Sequence, residues 1–377
     1  MRKLIASFCA LLLFLGPAAS AAYAVEVDAP SALLMEKETG TVLFAKDEHT
    51  QREPASVTKV MTLLLTMEAV DSGQLSYDTM VTASAHACSM GGSQIWLKEN
   101  EQMSVHDMLK AVCVVSANDC AVALAEQVAG SEDAFVERMN QRAQELGMED
   151  THFCNATGLP AAGHVTSAYD IALMSRELIL NHPDIRQYTT IWMDTLRDGT
   201  SQLVNTNRLV RFFDGATGLK TGSTDSALYC LSGTAERDGM ELIAVIMKDA
   251  TSNQRFEDAK TLLTYGFSNY ALCKITLDTP LPPVPVELGS QATVQPVLSA
   301  GDALLLEKSK AGNLTQTVSL AESIAAPVAP GDRLGTLTVT SGEEIVAELP
   351  LLAGESVPRV TYGQMLLRLL KTAFLAD

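Results

Sequence analysis

The sequence lacks the residue patterns that usually bind metals or carry out thiol redox chemistry. It contains no C-x-x-C pair and no H-E-x-x-H, and its 6 histidines are scattered along the chain. Because such patterns bring zinc ligands or paired thiols to one place, we predict no metal site and no cofactor. An even number of irregularly spaced cysteines follows residue 24, which permits disulfides in an exported protein. In a chain of this length, buried unpaired thiols are the favoured interpretation.

Positive charge is also scarce. The chain has 27 Lys and Arg residues against 45 Asp and Glu residues, which makes a formal net charge of -18. Proteins that bind nucleic acid attract phosphates with a basic surface, and an acidic chain offers no such field. We therefore predict that nucleic acid is not a partner.

The N-terminus has the pattern of a secretory signal peptide. Arg2 and Lys3 precede an apolar stretch over 4–15, and small residues end in Ala22-Tyr23-Ala24. The apolar stretch is too short to span a bilayer comfortably, so removal is favoured over anchoring. We predict a signal peptide over 1–24, with Ala21 as the alternative cleavage position, and an exported protein at the outer face of the cytoplasmic membrane or in the cell wall space.

The sequence around Ser56-Val57-Thr58-Lys59 combines a serine and a lysine with a strongly apolar run. The run continues to Val70 and predicts a helix that is apolar on most of its circumference and therefore buried. Ser56, Lys59, Thr62 and Thr66 recur at helical spacing and form one polar stripe. Burial disfavours a charged ammonium, and a neutral lysine next to a serine can take the hydroxyl proton during attack on a carbonyl.

Two further short motifs follow in the chain. Ser116-Ala117-Asn118 lies between two predicted helices, so its side chains occupy a loop that rigid elements can aim into a cleft. Lys220-Thr221-Gly222, followed by Ser223, comes just before a predicted strand. Each motif alone occurs by chance as a helix cap or a turn. Three in this order, on elements that can converge, indicate one active site.

The order of predicted elements indicates an α+β fold. Residues 80–190 are mainly helical in pattern, whereas Asp238-Gly239 between two apolar runs is a strong hairpin signal. The order predicts an antiparallel sheet flanked by helices, with a helical insert. The predicted elements are a hairpin over 32–45, the Ser56 helix, helices over 104–112, 119–128, 132–146 and 168–180, strands over 228–235 and 240–247, and a helix over 254–267.

The composition changes at the proline-rich segment 279–285, which we predict to be a stiff junction or an edge strand. Short alternating runs beyond it predict a small all-β sandwich domain. Over 361–375 an apolar helix with one polar stripe is too short to cross a membrane but is suited to its interface; docking on its own protein is the alternative. The predicted domains are 25–270, a β-rich domain over 271–357 and an amphipathic membrane-associating helix over 358–377.

The order Ser-x-x-Lys, Ser-x-Asn, Lys-Thr-Gly resembles the active-site signature of penicillin-binding proteins and class A β-lactamases. Segments 32–67, 92–155 and 218–270 are similar to the D-alanyl-D-alanine carboxypeptidases among the low-molecular-weight penicillin-binding proteins, serine peptidase family S11. The resemblance implies a penicillin-binding/β-lactamase-like catalytic domain. It also implies removal of the terminal D-alanine from peptidoglycan stem pentapeptides, which limits cross-linking, and β-lactams as covalent inhibitors.

The resemblance also implies roles for individual residues. Ser56 would be the nucleophile, Lys59 its general base, and Ser116 a proton relay to the leaving amine. The substrate-binding residues would be Asn118, which also orients Lys59, Lys220 and Thr221 for the terminal carboxylate, Gly222 for close approach of a peptide, and Ser223, whose backbone N–H joins that of Ser56 in an oxyanion hole. Leu228 departs from the glycine that is more usual in the family and puts the shape of the pocket beside the strand in question.

Three other functions remain open at this stage. A D,D-endopeptidase would perform the same reaction on cross-links. A β-lactamase of class A would need a glutamate for rapid deacylation, and the corresponding stretch 151–155 contains no carboxylate. A non-catalytic wall-binding module would keep the fold but would not require Ser56, Lys59 or Lys220. We therefore expect a carboxypeptidase that is acylated by penicillin and releases the acyl group slowly.

Overall fold

A computed structural model describes residues 25–277, 280–298 and 303–374. The predicted signal peptide lies outside these residues. Strands of the N-terminal domain are β1 (Ser31–Glu36), β2 (Val42–Lys46), β3 (Met80–Thr82), β4 (Gln102–Ser104), β5 (Met193–Leu196), β6 (Ser201–Val204), β7 (Ala216–Thr224), β8 (Leu228–Arg237), β9 (Met240–Asp249) and β10 (Tyr270–Lys274). Helices of this domain are α1 (Lys59–Asp71), α2 (Ala85–Cys88), α3 (Val105–Val115), α4 (Asn118–Ala129), α5 (Glu132–Glu145), α6 (Ala168–Asn181), α7 (Arg186–Thr189), α8 (Leu209–Phe212) and α9 (Ser252–Asn269).

The centre of this domain is an antiparallel five-stranded sheet in the order β2-β1-β9-β8-β7. Residues Leu33, Val245 and Met247 face a core shared with α1, α3, α4 and α6, whereas alternate residues such as Leu34 and Ile246 face a second core under α9. Both faces of the sheet are therefore covered, because strand side chains alternate between faces. The predicted α+β architecture is confirmed, and β7 remains at the edge of the sheet.

Helix α1 is buried on nearly all of its circumference, as its composition predicts. The predicted helix begins later than expected, because residues Ala55–Thr58 form a 3₁₀ turn and the α-helix starts at Lys59. Helix α3 extends three residues beyond the predicted end at Val112, and α4 begins at Asn118. Only Ser116 and Ala117 therefore separate these two helices. Ser104 caps α3 by accepting a hydrogen bond from Asp107 N.

The C-terminal part is all-β apart from two helices, as predicted. Its elements are β11 (Val284–Glu287), β12 (Thr293–Val294), β13 (Pro296–Leu298), β14 (Ala303–Glu307), α10 (Lys308–Ala311), β15 (Leu314–Leu320), β16 (Ile324–Ala325), β17 (Arg333–Ser341), β18 (Glu344–Ala353) and α11 (Tyr362–Phe374). They form a three-stranded sheet, β12-β11-β16, and a four-stranded sheet, β13-β18-β17-β15, while β14 pairs with β10. The proline-rich segment 279–285 does not form the edge strand that is one of its two predicted structures. Strand β11 is central, and it tolerates Pro285 because pairing with β16 begins only at Val286.

The cysteines at described positions are unpaired, and Cys113, Cys120 and Cys230 are buried, as expected of thiols used as small apolar residues. Within the described residues, no helix combines the length and hydrophobicity needed to cross a membrane.

Candidate active site

The three motifs converge at the edge of the sheet. Ser56 lies in the 3₁₀ turn before α1, Ser116 and Asn118 lie at the junction of α3 and α4, and Lys220 lies on edge strand β7. Gly222 packs against the turn: a Cβ atom there would lie 2.8 Å from Pro54 O and 2.9 Å from Ser56 N. Gly222 is therefore required for close approach to the serine's own turn, and the expected close approach of a peptide stays a prediction.

Ser56 and Lys59 form a close pair. Lys59 Nζ lies 2.9 Å from Ser56 Oγ and donates a hydrogen bond to Thr157 O at 2.7 Å. The lysine side chain is fully buried, and burial, reinforced by nearby Lys220, lowers its pKa well below the ordinary value. A neutral amine beside the serine hydroxyl can accept its proton. The carbonyl of Thr157, rather than the expected Asn118, orients this amine.

Ser116 and Asn118 lie at the junction of α3 and α4 and carry buried polar atoms. Ser116 adopts a left-handed backbone conformation with φ of 64° at the end of α3, and both residues are nearly fully buried. Asn118 Nδ2 donates to Gly91 O at 2.7 Å, whereas Asn118 Oδ1 and Ser116 Oγ make no hydrogen bond with any described residue. Buried polar atoms are normally paired, so two unpaired ones within three residues of the chain are typical of a ligand-binding position.

Lys220 and Thr221 lie on the sheet side of the site. Lys220 is almost completely buried, and its Nζ donates to Thr221 O at 2.8 Å. Burial, with a smaller contribution from the Arg255 cation, lowers the pKa of Lys220 to about 7. A desolvated lysine on an edge strand, with Ser223 three residues further along, is suited to binding a carboxylate, whose charge favours the ammonium form. Contacts connect the three motifs: Gly222 packs on the Ser56 turn, and Thr206 N donates to Val114 O, two residues before Ser116, while Thr206 Oγ1 lies 2.7 Å from Thr221 Oγ1. That the eight residues form one active site stays a prediction.

Comparison with known proteins agrees with this geometry. Residues 18–251 match the family model of peptidase family S11, D-alanyl-D-alanine carboxypeptidase. The chain belongs to this family. Residues 277–359 match the C-terminal domain of penicillin-binding protein 5. The predicted family, fold and enzyme class, a serine-type carboxypeptidase, are therefore confirmed.

Individual relatives cover most of the chain. D-alanyl-D-alanine carboxypeptidase DacF of Bacillus subtilis is 39% identical over 90% of this chain and 89% of its own length. Penicillin-binding protein 5 of Haemophilus influenzae has a similar structure, with a TM-score of 0.78 and 28% identity over 89% of this chain and 98% of that chain. Penicillin-binding protein D2 of Listeria monocytogenes, solved in its ampicillin-bound form, is 33% identical over 65% of this chain and 99% of that chain, with a TM-score of 0.59.

A buried histidine, His164, lies behind the serine turn, and the motifs in the sequence do not predict it as part of the site. His164 Nδ1 accepts a hydrogen bond from Cys154 N at 3.0 Å, so the ring proton lies on Nε2, which donates to Thr58 Oγ1 at 2.8 Å. Thr58 Oγ1 in turn donates to Ala55 O at 2.8 Å. Ala55, directly before Ser56, has a positive φ of 48°. This chain of hydrogen bonds therefore holds a strained turn in the conformation that presents Ser56.

Two other residues that sequence reasoning missed support Thr221 and Gly222. Thr206 Oγ1 lies 2.7 Å from Thr221 Oγ1, and its loop is held by the buried amides of Asn205 and Asn207. Arg255, on α9, donates to Gly222 O at 3.0 Å. Burial lowers the pKa of Arg255 to about 10, and the group remains a cation near neutral pH. No local signal in the sequence distinguishes these residues from ordinary surface positions.

The loop that precedes Thr157 is already engaged by protein groups. Asn155 Oδ1 accepts hydrogen bonds from Thr157 N at 3.1 Å and Gly158 N at 2.7 Å. The carboxylate that contacts this loop, Glu132, accepts from Ala156 N at 2.9 Å and pairs with His86 Nε2 at 2.7 Å. Both of its oxygens are therefore occupied.

One cluster outside the cleft has the side chains of a metal site but not its electrostatics. Glu68, Glu177 and His182 bring potential ligand atoms together. However, Arg142 donates to Glu68 Oε1 at 2.8 Å and to Glu177 Oε1 at 2.6 Å, and His182 pairs with Asp71. A guanidinium already neutralises these carboxylates, so the cluster is an ion-pair network.

Proposed function

We propose that the protein removes the terminal D-alanine from peptidoglycan stem pentapeptides through an acyl-enzyme on Ser56. The observation that carries the proposal is the fully buried Lys59 amine 2.9 Å from the Ser56 hydroxyl, with a pKa that burial lowers well below its ordinary value. Lys220, which is also buried, lies near enough to contribute to the lowered pKa of Lys59. A wall-binding module would have no use for a lysine held in this state.

The reaction proceeds in two steps. Lys59 takes the hydroxyl proton as Ser56 Oγ attacks the carbonyl carbon of the penultimate D-alanine, and the backbone N–H groups of Ser56 and Ser223 stabilise the oxyanion. The tetrahedral intermediate collapses when the peptide C–N bond breaks, and Ser116 relays a proton to the leaving amine of D-alanine. Water then attacks the ester with Lys59 as base, which releases the shortened peptide and restores Ser56.

The substrate is oriented by contacts with its terminal carboxylate and with a backbone N–H on the other side of the scissile bond. Lys220 and the Thr221 hydroxyl bind the terminal carboxylate by charge-assisted hydrogen bonds. Asn118, whose Oδ1 is buried without a partner among the described residues, accepts the N–H of the substrate backbone. These contacts place the carbonyl over Ser56, and proximity of this kind contributes a large part of the rate enhancement.

β-Lactams would use the same groups, since Ser56 can open the lactam ring and keep the acyl group. Deacylation should be slow, because the stretch 151–155 has no carboxylate and the neighbouring Glu132 already binds Ala156 N and His86. Rapid turnover of benzylpenicillin by the purified protein would contradict this proposal.

The decisive experiment incubates the protein with a stem pentapeptide ending in D-Ala-D-Ala and measures free D-alanine. The wild type should release it, Ser56→Ala should not, and Ser72→Ala at the opposite end of α1 serves as the control. A fluorescent penicillin should label the wild type and the control but not Ser56→Ala. If the wild type takes up no label, the wall-binding module is supported, and cleavage of cross-linked dimers in preference to pentapeptides would support a D,D-endopeptidase.

We further propose that the exported protein is held at the outer face of the membrane by α11. Four leucines of α11 are between 43% and 61% exposed: Leu366, Leu367, Leu369 and Leu370. Contiguous exposed apolar side chains are unfavourable in water and indicate a surface that binds another apolar phase. A helix of this length lies in the bilayer interface rather than crossing it. The full chain should sediment with anionic lipid vesicles, and Leu366→Asp with Leu370→Asp should abolish sedimentation while D-alanine release persists. Equal sedimentation of both proteins would refute this role.

A further inference from the structure

A second cavity opens beside the cleft, between the loop 94–101 and the hairpin formed by β5 and β6. It has a volume of about 980 Å³, and Val115, the residue directly before Ser116, forms part of its wall. None of the eight motif residues lines it. The cavity, which we call the side groove, therefore reaches the chain neighbour of Ser116 but is separate from the reacting groups.

The most unusual residue of the side groove is Trp96. Its side chain is 74% exposed, and its backbone has a positive φ of 56°, a conformation that a bulky residue adopts only when its surroundings impose it. The surroundings do so here: the buried carboxylate of Asp119 accepts hydrogen bonds from Ile95 N at 3.1 Å and Leu97 N at 3.0 Å. The residues on both sides of Trp96 are thus held by the neighbour of Asn118. An exposed ring kept in a strained conformation indicates a binding role.

The walls of the side groove favour an uncharged ligand. Arg197 donates to Glu101 at 2.7 Å and to Ile95 O at 2.8 Å, so the strongest charges of the wall neutralise each other. Lys98 and Glu99 add one charge of each sign, so the charged residues of the wall balance. The remaining polar groups are amides and hydroxyls, such as those of Gln94 and Gln202. An aromatic face with amide donors and acceptors suits a molecule with an apolar face and a rim of hydroxyl and acetamido groups.

We propose that the side groove binds the N-acetylated sugar to which the stem peptide is attached, with the Trp96 indole against the sugar ring. This inference rests on the proposed function, because the sugar belongs to the same substrate. Four residues separate the scissile bond from the sugar, and an extended chain of that length spans roughly 13–14 Å. A sugar at this distance can leave the cleft and enter the adjoining groove.

The test compares two substrates of the full-length protein: a free stem pentapeptide and the same pentapeptide attached to its disaccharide. The wild type should have the higher kcat/KM for the disaccharide form. Trp96→Ala should reduce that advantage by roughly 3- to 10-fold, the range for loss of one aromatic stacking contact. It should leave kcat/KM for the free peptide and the rate of penicillin acylation unchanged. Trp96→Tyr should retain most of the advantage, and Phe212→Ala, which removes another exposed aromatic ring, should retain all of it.

The outcomes separate the two proposals. Equal kcat/KM for both substrates in the wild type would overturn the sugar site while leaving the carboxypeptidase function intact. A Trp96→Ala protein that loses activity on both substrates in the same proportion would show that Trp96 acts only by positioning Asn118, and this result also overturns the sugar site. Failure of the wild type to release D-alanine from either substrate would instead refute the proposed function.

Discussion

The hydrogen-bond chain from His164 to the serine turn predicts that this histidine controls both stability and acylation. In His164→Ala, the Cys154 N–H loses its acceptor and Thr58 loses its donor. Thr58 can then rotate away from Ala55 O, which releases the turn that carries Ser56. His164 is only 3% exposed in the native state, so water does not readily replace the lost imidazole.

The size of the effect follows from these contacts. An unsatisfied buried donor costs about 1–3 kcal/mol, and the cavity left by the imidazole adds to it, so unfolding free energy should fall by about 2–4 kcal/mol. The melting temperature should drop by roughly 5–15 °C. If Ser56 moves by as much as an ångström, penicillin acylation should slow by roughly 100-fold.

The same residue predicts an acid limit to stability. Burial, with a smaller contribution from His152, lowers the pKa of His164 to about 4. The unfolded chain therefore binds one more proton than the folded chain between about pH 6.5 and pH 4. Stability contributed by the neutral ring is complete above pH 6.5 and is lost as pH falls to about 4, to an extent on the order of 3 kcal/mol. His164→Gln lacks this titration but keeps a donor for Thr58.

Urea denaturation at several pH values and acylation by a fluorescent penicillin measure these effects. His152→Ala, at an exposed neighbouring position, is the matched control. It should leave acylation and stability at neutral pH unchanged and should alter the pH dependence only slightly, because His152 makes the smaller contribution to the pKa of His164. His164→Gln should recover most of the acylation rate and show a flatter dependence of stability on pH between 6.5 and 4. Wild-type acylation and denaturation of His164→Ala, or a wild-type pH dependence of stability in His164→Gln, would refute this role of His164.

Three other predictions concern the sheet side of the site. Gly222→Ala places a methyl group 2.9 Å from Ser56 N and should slow penicillin acylation by roughly 100-fold or more; an unchanged rate would show that the turn yields. Leu228 has a positive φ of 53°, so Leu228→Gly should raise unfolding free energy by up to about 1 kcal/mol in urea; a lower midpoint would contradict this. The lowered pKa of Lys220, about 7, means that a carboxylate must recruit its charged form. Binding of a D-Ala-D-Ala peptide to Ser56→Ala at pH 8 should therefore take up a proton, measurable by calorimetry in two buffers, and equal heats would exclude it.

The fold could be predicted from the sequence where the signal is local. The dense apolar run after Ser56 specified a buried helix, and Asp238-Gly239 specified the hairpin of β8 and β9, because periodicity and turn chemistry depend on neighbouring residues. The position of β11 could not be predicted in this way. Its partners β12 and β16 lie far apart in the sequence, so which strand becomes central depends on long-range pairing.

The sequence by itself determined the chemistry of the site, because Ser56, Lys59, Ser116, Asn118 and the Lys220 motif carry their functional groups wherever they lie. The tertiary structure decided how those groups behave. Lys59 reaches Thr157 across 98 positions of the chain, and Thr58 reaches His164 across 106. The pKa of a lysine and the conformation of a turn depend on burial and on such distant contacts, and these exist only once the chain has folded.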